Sequence, residues 1–184
     1  DTALILMIDV SNSIDVAEYR LQTDGLADAL ADAEVIEALV QGQVALTVVQ
    51  WSGADKQAVM IPWTQVRAAR DARDLSARAR ALPRAFTLSD TAPGEAIAFA
   101  LGHFALAPEC TRRVIDVSGD GTPNAGRDVR PVVAAAERQG VTINGIAIEG
   151  LGLAITTFYS RAIIGHEYRK AEVASSRARP YIPC

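Results

Sequence analysis

The chain has 184 residues, 49% of them hydrophobic and 22% charged, a balance that suits one globular domain with a sizeable core and excludes a disordered chain. A formal net charge of −4 gives a nucleic-acid partner no global electrostatic support. No apolar run reaches the length of a membrane-spanning helix, since even "ALILMIDV" meets an acid after a few residues.

In chain order, "ALILMID" (3–9) is a short continuous apolar run, as expected of a strand buried on both faces. A helix follows, opened by Asp15 three residues before Glu18 in the pattern of a capping box, with Tyr19, Leu26 and Leu30 on one face. A second helical stretch, "DAEVIEALVQG", comes next. "VALTVVQWSG" (44–53) is rich in β-branched residues and ends in a turn signal, so "QAVMIPWTQV" (57–66) is expected to return beside it as a hairpin, with Trp51 and Trp63 pairing across it. Residues 66–83 read as a helix with a charged outer face, and "PGEAIAFALGHFAL" (93–106) as a helix with proline in its first turn. "RRVIDVSG" (112–119) is a strand, "RPVVAAAERQG" (130–140) a helix stopped by Gly140, and "VTINGIAI" (141–148) a further strand. Residues 156–165 are expected to form a last helix, and the polar tail from His166 shows no strand or helix period.

Strands alternating with helices imply an α/β fold: a central, mostly parallel sheet with one antiparallel edge strand and helices on both faces. In such sheets ligands collect beyond the carboxyl ends of the strands, where the strand order reverses. Three segments fall there. Asp9-Val10-Ser11-Asn12-Ser13 ends the first strand, Thr91-Ala92-Pro93-Gly94-Glu95-Ala96 leads into a helix, and Gly119-Asp120-Gly121 follows the strand at 112–119. Asp9, Ser11, Ser13, Thr91 and Asp120 there offer two carboxylates and three hydroxyls, a hard-oxygen set that suits Mg²⁺, Ca²⁺ or Mn²⁺ and argues against zinc or copper. The competing reading is an ordinary Asp/Ser helix cap.

These residues resemble the metal-ion-dependent adhesion site of the von Willebrand factor type A domain, whose pattern is D-x-S-x-S, a Thr in T-x-x-G-x-A, and T-D-G. The chain supplies "DVSNS", "TAPGEA" and "GDG" in that order, with Gly119 standing where the family has Thr. It is more similar still to a bacterial group of exported von Willebrand A-like proteins, through "EYRLQTDGLADAL", "VVQWSG", "IPWT", "RRVIDVSGDG" and "GVTINGIAI". The resemblance spans about residues 3–165 and sets a domain at 1–165 with a divergent tail at 166–184. It implies Ser11 and Ser13 as direct ligands of a divalent cation, Mg²⁺ or Ca²⁺ with Mn²⁺ as a further option. Thr91 then binds directly or on partner arrival, while Asp9 and Asp120 act through water or by holding the ligating hydroxyls. It also implies a non-enzymatic module whose cation takes an acidic side chain from a protein partner. The protein would be periplasmic or secreted, with no transmembrane segment of its own, and could serve as an accessory subunit of a larger, even membrane-associated, assembly. A chain that opens on Asp1 rather than Met is expected from removal of a signal peptide, or from trimming.

Four other readings are weaker. A structural subunit with a vestigial or purely stabilising site remains open, as does, more remotely, a divalent-metal hydrolase. A phosphotransferase would need a second acid where Ser11 stands and a lysine near the strand ends, but Lys56 and Lys170 are the only lysines. A serine hydrolase would need G-x-S-x-G and a histidine base, whereas His103 sits inside a helical pattern and His166 in the tail. Cys110 and Cys184 could form one disulfide or remain two thiols. The tetrapeptide IDVS occurs at 8–11 and at 115–118, but only the first acid, Asp9, ends its strand. In the second copy the acid clear of the strand is Asp120, and Asp116 is expected beneath the site, bonded to loop amides or hydroxyls.

Overall fold

The computed structural model describes residues 1–120, 122–148 and 172–174. Six strands form one sheet: β1 (Thr2–Asp9), β2 (Val44–Trp51), β3 (Gln57–Gln65), β4 (Arg112–Gly119), β5 (Val141–Ile148) and β6 (Glu172–Ala174). Their order is β3-β2-β1-β4-β5-β6. Every pairing is parallel except that of β2 with β3, which is a hairpin. The helices are α1 (Val16–Ala31), α2 (Ala33–Gln41), α3 (Ala69–Arg80), α4 (Pro93–His103), extended by a 3₁₀ turn at Phe104–Leu106, and α5 (Val129–Arg138).

Alternation along the strands divides the core into two layers. Ala3, Ile5 and Met7 of β1, with Val49 and Trp51 of β2 and Ile115 and Val117 of β4, pack against Ala96, Ile97 and Ala100 of α4 and Val132, Val133 and Ala136 of α5. Ile8 of β1 and Leu46 and Val48 of β2 face the other way, onto Tyr19, Ala27 and Leu30 of α1 and Ala72, Leu75 and Ala79 of α3. β2 is buried along its whole length because it lies between two strands and under helices on both faces.

Local signals set the helix ends as anticipated. Asp15 caps α1: its carboxylate accepts the Glu18 N–H, and the Glu18 carboxylate accepts the Asp15 N–H. Gly140 takes a left-handed φ of 67° just past α5, which a residue with a Cβ resists. The charged face of α3 is turned to solvent and reaches α1 through Arg80, which pairs with Asp24 and Asp28.

Two expectations are corrected. The tryptophans do not pair across the hairpin. The turn at 52–56 places Gln57 opposite Trp51, which is wholly buried, while Trp63 stacks on His103 with ring centroids 5.7 Å apart. The stretch read as strandless also contributes β6, parallel to β5, and its three residues are too short to register as a pattern. The helix expected at 156–165, His166 and Cys184 lie outside the described residues.

Candidate metal centre

With β4 beside β1, and β2 on the other side of β1, the strand order reverses at β1, and the crevice of the sheet opens at the carboxyl ends of β1 and β4. The β1 end is wound tightly. Val10 N–H continues the ladder to the Trp51 carbonyl at 2.9 Å, and the Asp9 carboxylate turns back to accept the Ser11 N–H at 2.7 Å. Ile14 N–H closes the loop on the Ser11 carbonyl at 3.1 Å. This turn brings the two serine hydroxyls within 3.1 Å of each other. Ser13 Oγ then donates to Asp120 Oδ1 across the crevice at 2.5 Å. Four of the five residues singled out from sequence are thus joined in one chain of contacts: Asp9, Ser11, Ser13 and Asp120.

Thr91 reaches the same edge by another route. Its N–H donates to the Asn124 side-chain oxygen at 2.8 Å, and its carbonyl accepts from the N–H groups of Asn124 and Ala125. Ala92 N–H donates to the Ser52 carbonyl, and Ser52 Oγ donates to the Asp90 carbonyl. The Thr91 segment is therefore tied both to the end of β2 and to the loop after β4. Gly94 allows this closeness, because a Cβ there would lie 2.3 Å from the Arg127 carbonyl oxygen. That is the structural reason for glycine in "TAPGEA".

The electrostatics are those of acids held away from water. Asp9, Ser11 and Thr91 are buried, and Asp120 nearly so. Burial is the main cause that lifts the Asp9 carboxyl from 3.8 to about 7, and the nearby Asp120 charge adds to it, against the Ser11 hydrogen bonds. Burial also raises Asp120 above the ordinary carboxylate range, with the Ser13 hydroxyl opposing it. Asp9 Oδ2 is buried with no hydrogen-bond partner, a costly position for a carboxylate oxygen. Among the described residues no group of three or more His, Cys, Asp or Glu converges, so a cation here would draw on hydroxyl oxygens as well as carboxylates. An unpartnered carboxylate oxygen, a second acid and two touching hydroxyls fit a hard divalent cation.

Three residues support this arrangement without having been singled out from sequence. The Arg84 guanidinium donates to the carbonyls of Val10 and Ser11 at 3.0 and 2.8 Å, and its Nε donates to the Phe86 carbonyl at 3.1 Å. Arg84 also lies 5.9 Å from the centre of the Tyr19 ring. Gln22 of α1 donates to the Asp9 carbonyl at 3.0 Å and accepts from Ser118 Oγ at 2.7 Å, which links the ends of β1 and β4. Asn124 holds Thr91 as described above. Each binds main chain from a distance in sequence that no local spacing marks.

Asp116 requires a correction. It is half-buried on the α1 side of the sheet and accepts from the Asn144 side chain at 2.7 Å, its register neighbour on β5, rather than from loop amides or hydroxyls. Burial raises its carboxyl, and the Asn144 bond works against that. His103 packs between Trp63 and Phe99.

A family model described as "Protein of unknown function (DUF1194)" matches residues 1–176. No curated protein sequence matches. Among solved structures, proximal thread matrix protein 1 from the mussel byssus aligns with a TM-score of 0.70 and 17% identity, over 89% of this chain and 41% of that one. A second structure of the same protein, with a zinc-occupied MIDAS motif, aligns at 0.66 and 18% identity, over 85% and 40% of the two chains. A von Willebrand factor type A protein from Catenulispora acidiphila aligns at 0.57 and 17% identity, over 81% and 33%. The chain therefore spans well under half the length of these structures. It belongs to the DUF1194 family and has the fold of the von Willebrand factor type A domain.

Proposed function

We propose that this chain is a non-enzymatic recognition module whose binding of a protein partner depends on a divalent cation. The observation that carries this reading is the contact chain from Ser11 through Ser13 to Asp120, lying beside a buried Asp9 oxygen with no partner of its own. Ser11 and Ser13 would hold the cation directly, with Thr91 joining them, and Asp9 and Asp120 would hold the bound waters and orient the hydroxyls. A cation held chiefly by neutral hydroxyls stays under-neutralised and accepts a carboxylate from outside. The mussel protein whose MIDAS motif holds zinc supports a divalent ion at this place in the fold. Mg²⁺ or Ca²⁺ suits the oxygen donors here better than zinc does.

The protein's own groups orient and exclude. The Asp9–Ser11 turn and the Arg84 clamp present the hydroxyls, and burial keeps competing water away from the acids. The extracytoplasmic placement and the role as an accessory subunit implied by the sequence resemblance belong to the same proposal. Among the described residues no helix is long and apolar enough to cross a membrane.

Calorimetric titration with Mg²⁺, Ca²⁺, Mn²⁺ and Zn²⁺ tests the reading on the wild type, Ser13→Ala and Asp120→Ala. Binding by the wild type that weakens at least tenfold in each variant is expected. A wild type that binds none of the four ions would sink it and leave the structural subunit as the better reading.

A further inference from the structure

Among the described residues three buried side-chain atoms have no hydrogen-bond partner: Asp9 Oδ2, Trp51 Nε1 and His103 Nε2. The first belongs to the candidate centre. The second is a donor, and it stands next to the first. Asp9 and Trp51 are register partners on β1 and β2, and neighbouring strands lie about 4.8 Å apart. Val10 N–H, donating to the Trp51 carbonyl at 2.9 Å, closes the ladder at this level. Both side chains leave the sheet on one face. Trp51 packs in the layer under α4 and α5 with Ala3, Ile5 and Met7, and Asp9 follows Met7 by two residues, which strand alternation puts on the same side. Asp9 and Trp51 are both wholly buried.

Packing alone does not favour tryptophan here. A phenylalanine or leucine would fill the same layer without a polar atom, whereas a buried indole N–H with no acceptor loses the hydrogen bond it had in water. A donor lacking an acceptor, beside a carboxylate oxygen lacking a donor, is a pair that a single water completes. His103 has no such neighbour. It closes the far end of α4, an 11-residue helix about 16 Å long, and is stacked between Trp63 and Phe99.

We infer that Trp51 is a positioning residue of the cation centre: with the cation bound, one water accepts from its indole N–H and donates to Asp9 Oδ2. This rests on the cation reading above and adds a residue that neither touches the ion nor belongs to the D-x-S-x-S turn. A divalent cation arrives with water, and Mg²⁺ keeps much of its hydration shell. The Ser11 N–H already fixes Asp9 Oδ1 at 2.7 Å. With Oδ2 held from β2, the carboxylate plane is set from both sides, and a partner that orients a metal-site acid in this way governs affinity without being a ligand.

Trp51 and Trp63 are the only tryptophans, so each indole N–H can be followed by itself in proton–nitrogen correlation spectra of the full chain. Titration with Mg²⁺ should move the Trp51 signal downfield, the direction expected of a donor that gains an acceptor, and leave the Trp63 signal in place. The decisive variant replaces Trp51 by benzothienylalanine in a Trp63→Phe chain, since sulfur then stands for N–H in a ring system of nearly the same size. That protein should melt in EDTA at least as high as the Trp63→Phe chain, yet bind Mg²⁺ about tenfold more weakly in calorimetry. A residue kept only for packing would not show that split. Unchanged Mg²⁺ affinity, or a Trp51 signal that stays in place while calorimetry shows Mg²⁺ binding, would overturn the inference and leave the cation reading standing. A loss of affinity accompanied by a lower melting temperature in EDTA would assign Trp51 to packing and also overturn it. A wild type that binds no Mg²⁺ would remove the cation reading and this inference with it.

Discussion

Replacing Asp9 by asparagine removes the most strongly perturbed acid of the candidate centre while keeping its shape. The carboxamide oxygen of Asp9→Asn can still accept the Ser11 N–H that Asp9 accepts at 2.7 Å. In the cation-free protein the folded Asp9 carboxyl titrates at about 7 against 3.8 when unfolded. Between those values the folded state holds a proton that the unfolded state has released. The contribution is therefore complete below pH 3.8 and is lost as pH rises through about 7. At about 1.4 kcal/mol per decade, the loss is about 4 kcal/mol, a large share of a stability of about 5–15 kcal/mol. Asp116 and Asp120 are raised as well and act in the same direction, so Asp9 accounts for part of the total slope.

The assay is urea unfolding in EDTA from about pH 4 to about pH 8, with the difference between wild type and Asp9→Asn taken at each pH so that titrations uncoupled from Asp9 cancel, leaving Asp9 and its coupling to Asp120. The wild type should lose stability relative to the variant as pH rises. Near neutral pH, Mg²⁺ at a hundredfold excess over its Kd should restore about 2.7 kcal/mol to the wild type and markedly less to Asp9→Asn. Parallel pH profiles for the two proteins would refute the assignment of Asp9 as a buried acid awaiting a cation.

Other substitutions probe the supports. Arg84→Met withdraws the donors that hold the Val10 and Ser11 carbonyls, and should lower stability by about 2 kcal/mol in urea and weaken Mg²⁺ binding in calorimetry. Arg84→Lys should restore only part of both, because one ammonium can replace Nη2 at the Val10 and Ser11 carbonyls but leaves the Phe86 carbonyl without the Nε donor. Gly94→Ala drives a Cβ to 2.3 Å from the Arg127 carbonyl oxygen, and should cost about 1–3 kcal/mol by thermal unfolding as the two segments separate. Asp116→Asn keeps an acceptor for Asn144 and should leave Mg²⁺ affinity unchanged, whereas Asp120→Asn should weaken it about tenfold in calorimetry.

The strand-helix order from β1 to β5, the hairpin at 44–65, the Asp15 cap and the glycine stop after α5 were all legible in the sequence. Each depends on residues within a few positions of one another: apolar runs, capping pairs, turn chemistry. The candidate centre was legible as five residues at strand ends because an α/β sheet gathers those ends on one edge. Which of them touch was decided by tertiary structure. The 2.5 Å approach of Ser13 to Asp120 exists only because β4 lies beside β1, a pairing that no local pattern records. The same holds for Arg84, Gln22 and Asn124, whose roles are hydrogen bonds to main chain far away in sequence. The doubled IDVS makes the point in one motif. Asp9 ends its strand in a turn of its own making, while Asp116 lies inside β4, where the register of β5 gives it Asn144. Identical tetrapeptides receive different chemistry because local sequence chooses the strand, and the neighbouring strands choose what each side chain meets.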